Sequence, residues 1–433
     1  MAHPAARSQP LVEGTGPVAV WRIVRASSGL GWLLPAMFLS VMSTGMTAVA
    51  LAWLVLTIAP AGRGGLWVAA ILLATYVPGL VASAFLHRRL AHWTGASLVV
   101  LDAVARAAFM ALIGALAAAS LLTPLLTVVL VVGAAVTSAW GRGGMQAVVA
   151  ELVPPAHRLA VNSWAMSQAA VAMVVGPAVG GVAAGVIHPF VVLLADAALR
   201  LAIAAILGLR VRSALGAGAR PVPGSRGPAR HGWRILMTHP DLRAVLALTF
   251  GVAFCYGIFQ VALPLLVVAE TGGGAQLLGA AWAAFGVGSA AGAFLSRLHR
   301  GLTVWQSAVI TTFLWGASVA LVGATHVASI TLVGMLAGGL VYAPYQAVVT
   351  TFIQQSIEKR DLVAVGTAWS AVLMVAQPLG YLAAGPVTLL TPARTLVLAA
   401  AAATVGVGFL AMLVRPLRVA RPLPASATSS AGG

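Results

Sequence analysis

Twelve apolar runs decide what this chain can become. Each is close to the length, about 20 residues, at which a helix crosses the hydrocarbon core of a bilayer. They fall near residues 33–58, 65–86, 96–118, 124–145, 161–186, 189–209, 243–268, 276–296, 303–323, 328–351, 362–388 and 392–414. Charged residues make up 8% of the chain, hydrophobic residues 61%, and the mean hydropathy is +1.00. Soluble domains carry about 25% charged residues. The sequence therefore predicts an all-α integral membrane protein with twelve transmembrane helices, its outer surface in the lipid bilayer.

One long polar stretch interrupts the runs, at about 211–242. Its RPVPGSRGPARHGWR is a Pro/Gly/Arg-rich linker, with a short interfacial helix expected near Trp233. The expected organisation is a tail at 1–32, a six-helix bundle at 33–209, a linker at 210–242, a second six-helix bundle at 243–414 and a tail at 415–433. The halves echo each other. Gln146-Ala147-Val148-Val149 returns as Gln346-Ala347-Val348-Val349, Ala183-Ala184-Gly185 as Ala383-Ala384-Gly385, and Pro177 as Pro378. A period of half the chain indicates duplication rather than a short solenoid repeat.

The formal charge of +17 has a membrane explanation, so no nucleic-acid partner is expected. Of 25 Lys and Arg residues, only Arg63 and Arg394 fall in odd-numbered loops, and only Arg106 and Arg200 well inside spans, Arg142 and Arg243 being counted with the even-numbered loops they adjoin. The other 21 lie in the tails and even-numbered loops. Basic loops stay in the cytoplasm, which places both termini and the linker there, in a multi-pass protein of the plasma membrane. Residues 1–20 are polar and Pro-rich, without the pattern of a cleavable signal. Cys255 is the sole cysteine, so no internal disulfide can form.

Six spans, a cytoplasmic linker and six more spans resemble the major facilitator superfamily. Several motifs resemble its drug/siderophore-exporter branch, which includes macrolide and enterobactin efflux proteins. The first span, SVMSTGMTAVALAWLVL, is similar to that branch's opening helix, with Ser40, Gly45, Ala50 and Trp53 in place. Asp102 and Arg106 match a D-x-x-x-R pattern in the third helix, and Arg142 to Pro154 an R-x-x-x-x-A-x-x-x-E-L-V-P segment after the fourth. Gly176, Pro177, Gly180 and Gly181 resemble the fifth helix's G-P-x-x-G-G, Asp196 the D-A opening of the sixth, and Gln377-Pro378-Leu379-Gly380 the P-L-G of the eleventh. The resemblance implies two pseudo-symmetric six-helix bundles, alternating access, a monomer, and no cofactor or metal. One feature departs from it. The superfamily's G-x-x-x-D-R-x-x-R-R loop would place its D-R near Ala91-His92, where the sequence is HRRLAHWTG, without the Gly or the Asp.

Proton coupling or gating needs ionisable groups at depth. Asp102 and Arg106 share a helix face, as do Asp196 and Arg200. A charge inside a span costs several kcal/mol unless paired, so a structural ion pair competes with a protonatable site or latch at both places. Glu151, Arg158 and Arg142 are expected to form a charge cluster in the loop after the fourth span, making and breaking contacts as the gate moves. Gly176, Pro177, Gly180 and Gly181, with Pro378 and Gly380 in the second half, suit kinked helices that approach closely. The resemblance implies that the fifth-helix element seals the cytoplasmic side. Candidate cavity residues are Ser43, Thr47, Tyr256, Gln260, Tyr342, Tyr345, Gln346, Trp369 and Gln377, a mixture suited to amphipathic or aromatic small molecules.

The single Lys, in SIEKRDL, rules out a P-loop, and no zincin pair or G-x-S-x-G elbow occurs. The nine histidines lack metal-ligand spacing. No enzymatic activity is expected. The leading expectation is a proton-driven exporter of small hydrophobic or amphipathic compounds such as drugs, siderophores or natural products. A facilitator or importer of a small organic solute, and a transport-inactive scaffold or sensor, are the alternatives.

Overall fold

The computed structural model describes residues 29–90, 93–153, 157–211, 229–270, 274–295, 302–358 and 361–413. Twelve of its helices are long and apolar enough to cross a membrane. In the first half they are α1 (Leu30–Ile58), α2 (Gly64–Leu90), α3 (Gly95–Ala118), α4 (Pro124–Ala135, continuing as Ser138–Leu152), α5 (Arg158–Val186) and α6 (Pro189–Ala205, with a π-helical end at Ile206–Val211). In the second half they are α7 (Pro240–Glu270), α8 (Ala275–Leu295), α9 (Val304–Gly323), α10 (Ala328–Ser356), α11 (Leu362–Val387) and α12 (Ala393–Leu413). A ten-residue linker helix, Ala229–Thr238, precedes α7. In lipid a helix satisfies its own backbone hydrogen bonds, which is why apolar runs of this length adopt nothing else.

Side chains at the helix starts supply what the backbone cannot. The Thr94 hydroxyl accepts from Ser97 N–H at the head of α3, and Thr123, followed by Pro124, does the same for α4. Thr303 and Gln306 form a reciprocal capping box on α9. Met166, Val186, Phe294 and Leu410 stand exposed on the outside. An apolar surface of this kind requires a bilayer to cover it.

Helices α1–α6 form one bundle and α7–α12 the other. In the first, α3 packs on α4 and α6, and α1 on α5 and α6. In the second, α7 packs on α11 and α12, and α9 on α10 and α12. The main contacts between bundles are α5 with α8 and α2 with α11. We call the end where α6 finishes and α7 begins the linker end, and the opposite one the far end.

The fourth helix departs from expectation. It runs on to Leu152 and breaks at Val136–Thr137. Helix α2 leans into the break: a Cβ on Gly79 would meet the Ser138 hydroxyl, and would lie 2.9 Å from the Ala135 carbonyl oxygen. Beyond the break, Gly144 lets α4 touch α3, since a Cβ there would sit 2.6 Å from the Gly95 carbonyl.

Candidate functional site

A cavity of about 480 Å³ lies between the bundles. The second bundle supplies most of its wall: Thr249 and Tyr256 from α7, Thr311 and Trp315 from α9, Tyr342, Tyr345 and Gln346 from α10, and Ser370 and Gln377 from α11. The first bundle contributes Tyr76 from α2 and Arg142 from α4. Five residues of the wall are aromatic, Tyr76, Tyr256, Trp315, Tyr342 and Tyr345, with Phe285 packed behind them. Tyr256 and Trp315 have ring centroids 5.6 Å apart, and Phe285 lies 5.9 Å from Trp315 and 5.5 Å from Tyr342. Hydroxyl and amide groups on it are pre-positioned. Gln346 Nε2 donates to the Tyr342 hydroxyl at 2.9 Å, and the Thr249 and Tyr345 hydroxyls share a bond of 2.7 Å.

The far end is closed by two unlike seals. In the first, α5 is wedged between α1 of its own bundle and α8 of the other. Gly180 faces α1, where a Cβ would be 2.6 Å from Met46 Cα. Gly181 faces α8, where a Cβ would be 2.6 Å from both the Ala275 carbonyl and Gly279 Cα. Gly176 and Gly45 complete the α1–α5 contact, with Pro177 lying against Gly45. In the second seal, α11 meets α2 through aromatic rings. Tyr76 and Tyr381 have centroids 5.9 Å apart, and the fully buried Tyr381 donates its hydroxyl proton to Gln260. Gly380 faces α7, its own bundle, where a Cβ would be 2.9 Å from Gly257 Cα. The Gly/Pro element of α5 thus closes the far end and not the linker end, contrary to the expectation carried over from the family. Residues 176–185 occupy the far half of α5, and α8 meets them with its first turns.

Both Asp–Arg pairs form, each with a hydroxyl from a second helix. Arg106 Nε donates to Asp102 at 2.9 Å, and Thr137, at the α4 break, donates to the same carboxylate oxygen at 2.7 Å. Gly141 lies under this carboxylate, where a Cβ would collide with it. Arg200 Nε donates to Asp196 at 2.8 Å, and Ser43 of α1 donates to the other oxygen of Asp196. Each Asp stands seven residues past the first residue of its helix. The two sites are images of each other, α1 and α6 answering to α4 and α3, as in inverted three-helix repeats. They differ in depth. The Asp196 and Arg200 side chains are 0% and 7% exposed, those of Asp102 and Arg106 15% and 20%.

Arg142 stands apart from the expected gate cluster. Arg142 sits in the body of α4 and faces the cavity, not a loop. Glu151 lies nine residues farther along, about 13 Å by helical rise and half a turn out of phase. It occupies the last turn of α4, exposed, and forms no ion pair among the described residues. The side chain of Arg158, the Ala91-His92 segment, Lys359 and Arg360 lie outside the described residues.

Of the nine cavity candidates, Tyr256, Tyr342, Tyr345, Gln346 and Gln377 line the cavity. Ser43 is consumed by Asp196, Gln260 by Tyr381, and Thr47 and Trp369 are buried in helix packing. Pro378 lines the cavity too. Sequence reasoning missed Tyr76, Thr249, Thr311, Trp315 and Ser370. The signal available was polar or aromatic residues lying in apolar runs at depths matching Tyr256 and Tyr342.

The family described as Major Facilitator Superfamily matches residues 33–376. No curated protein sequence matches the chain significantly. Among solved structures, the chain is similar to a bacterial homologue of the human lysosomal transporter Spinster in an inward-facing, unoccupied conformation. There the TM-score is 0.67 and the identity 13%, covering 92% of this chain and 98% of that one. A POT family transporter in complex with a thioalcohol-conjugated peptide gives a TM-score of 0.69 at 12% identity, with 89% and 95% covered. A bacterial homologue of the iron transporter ferroportin, inward-facing, gives 0.66 at 15% identity, with 91% and 98% covered. At these identities the likeness is one of fold.

Proposed function

The chain belongs to the Major Facilitator Superfamily, as a secondary transporter of that type, and we propose that it is a proton-driven exporter of small amphipathic compounds. The observation that carries this reading is the cavity: aromatic, interrupted by hydroxyls and amides, shared between two bundles and shut at the far end. With the linker end in the cytoplasm, as the arginine distribution expects, the cavity takes its cargo from inside the cell. Its volume lies within the roughly 300–1,000 Å³ usual for sites that bind drug-sized molecules. Drugs, siderophores and self-made natural products all fit that description. The resemblance to the drug/siderophore-exporter branch supports the outward direction.

Coupling falls to Asp102. It is the more exposed of the two intramembrane carboxylates and is bonded by Thr137 at the break of α4, the helix that carries Arg142. A proton on Asp102 weakens its hold on Arg106 and Thr137, and so loosens the break that shapes the cavity's first-bundle wall. The test is efflux of an amphipathic dye from energised cells or from proteoliposomes with an imposed proton gradient. Efflux that stops with a protonophore is expected. Movement of the dye only down its own gradient, indifferent to the protonophore, contradicts the coupling.

One observation favours a second reading, a facilitator. Among the described residues lining the cavity there is no carboxylate, so a proton has no acceptor in direct contact with cargo. Accumulation of labelled solute inside proteoliposomes without any proton gradient distinguishes this case. An open cavity of about 480 Å³ speaks against a transport-inactive scaffold.

A further inference from the structure

Resting on the transport reading above, we infer that the cargo is an anionic amphiphile whose acidic group is held by Arg142 and whose apolar body lies against the aromatic wall of the second bundle. Three intramembrane arginines of the first bundle matter here. Arg106 and Arg200 are each neutralised by an aspartate one helical turn away. Arg142 is exposed to the cavity and has neither a hydrogen bond nor an ion pair among the described residues. A guanidinium cannot shed its charge, so this site keeps a net positive charge in every state of the cavity. With no carboxylate among the described lining residues, nothing in the wall offsets it.

A gate role for Arg142 would need a carboxylate that reaches it in some other state. Glu151 is on the same helix, about 13 Å away and on the opposite face, so no movement of the bundles brings the two together. Asp102 is already engaged by Arg106 and Thr137. An uncompensated cation lining a water-accessible cavity with low-dielectric walls concentrates anions, and the planar guanidinium fits a carboxylate or phosphate with two parallel bonds. Opposite it stand Tyr256, Trp315 and Tyr342, rings suited to an apolar or aromatic body.

The arrangement also separates the two halves of recognition. The cation belongs to α4 of the first bundle, the rings to α7, α9 and α10 of the second. A ligand that satisfies both bridges the bundles, and favours the state in which their linker-end halves approach. A neutral compound engages the rings alone and lacks that leverage.

Three matched probes test this on the full chain in lipid nanodiscs by equilibrium dialysis: 2-naphthylacetate, neutral 2-naphthylacetamide and cationic 2-(2-naphthyl)ethylammonium. The wild-type protein is expected to bind the acetate at least about tenfold more tightly than the amide, the order of one charge-assisted pair, and the ammonium most weakly. Arg142→Gln is expected to bring the acetate to the affinity of the amide, and Arg142→Lys to keep part of the preference. Equal binding of acetate and amide by the wild type, tighter binding of the ammonium, or an unchanged preference in Arg142→Gln overturns the inference. Should Arg142→Gln not fold, the wild-type ranking and Arg142→Lys decide. Failure of the transport reading looks different: the acetate binds through Arg142, yet no compound of any charge crosses a proteoliposome membrane.

Discussion

Replacing Asp196 by Asn would leave the Arg200 guanidinium, 7% exposed, without its counter-charge and would weaken the tie from Ser43. Breaking one partner out of a buried ion pair costs about 3–5 kcal/mol. Asp102→Asn acts on the more exposed pair and is expected to cost less. Thermal unfolding in detergent should therefore show a much larger fall in Tm for Asp196→Asn, partly restored by adding Arg200→Gln. Equal shifts would contradict the difference in depth. Activity should rank the other way for molecules that fold: Asp102→Asn loses proton-dependent efflux, whereas Asp196→Asn retains it, as an efflux assay normalised to folded protein would show. At this scale the sequence was informative about pairing and silent about depth. Spacing four residues apart put each Asp beside its Arg, but Thr137 and Ser43 come from other helices, and no local pattern announces them. Arg142 was visible as a charge and misplaced as loop although it falls inside the fourth apolar run, because its charge and the glycines beside it read as a span end, whereas the helix continues to Leu152.

Helices α5 and α11 occupy equivalent places and solve the same problem differently. The α5–α8 crossing depends on the absence of a side chain at Gly181, where a Cβ would press on backbone atoms of α8 that cannot turn aside. The α2–α11 crossing depends on two tyrosines. Gly181→Leu is expected to force α5 and α8 apart at the far end, since overpacking of this kind costs about 1–3 kcal/mol. Spin labels at Ile187 and Leu390, both exposed at the far ends of opposite bundles, should report a longer mean distance than in the parent protein. An unchanged distance with normal folding would remove the α5–α8 contact from the gate. Tyr76→Ala is expected to lengthen the same distance, by way of the second seal. The repeat of Pro177 as Pro378 and of Gly185 as Gly385 pointed to this shared plan. Gly180-Gly181 is answered by Gly380-Tyr381, a difference that marks where the halves diverge. The location of the seal was not legible, because a Gly/Pro helix can close either end and only its partner, here the start of α8, fixes which.

The mechanism proposed for the whole molecule is alternating access, starting from a form closed at the far end with its cavity in the linker half. The twelve helices were legible in hydropathy, whereas their packing as two six-helix bundles was implied by the family resemblance and not by the apolar runs themselves. The cavity was legible in neither, because helices contribute to it by rotation about their axes as well as by depth. That is why Tyr256 and Gln377 reach it while Gln260 and Trp369 do not. The most direct measurement is sidedness of access at a single cysteine, Ser370→Cys, in a background with Cys255→Ala, in proteoliposomes of known orientation. Ser370 is exposed and lines the cavity, so a membrane-impermeant maleimide should label it readily from the linker side. Under an imposed proton gradient and transported compound, labelling from the linker side should fall and labelling from the far side should rise. Labelling from the linker side alone, unchanged under every condition, would contradict alternating access around this cavity.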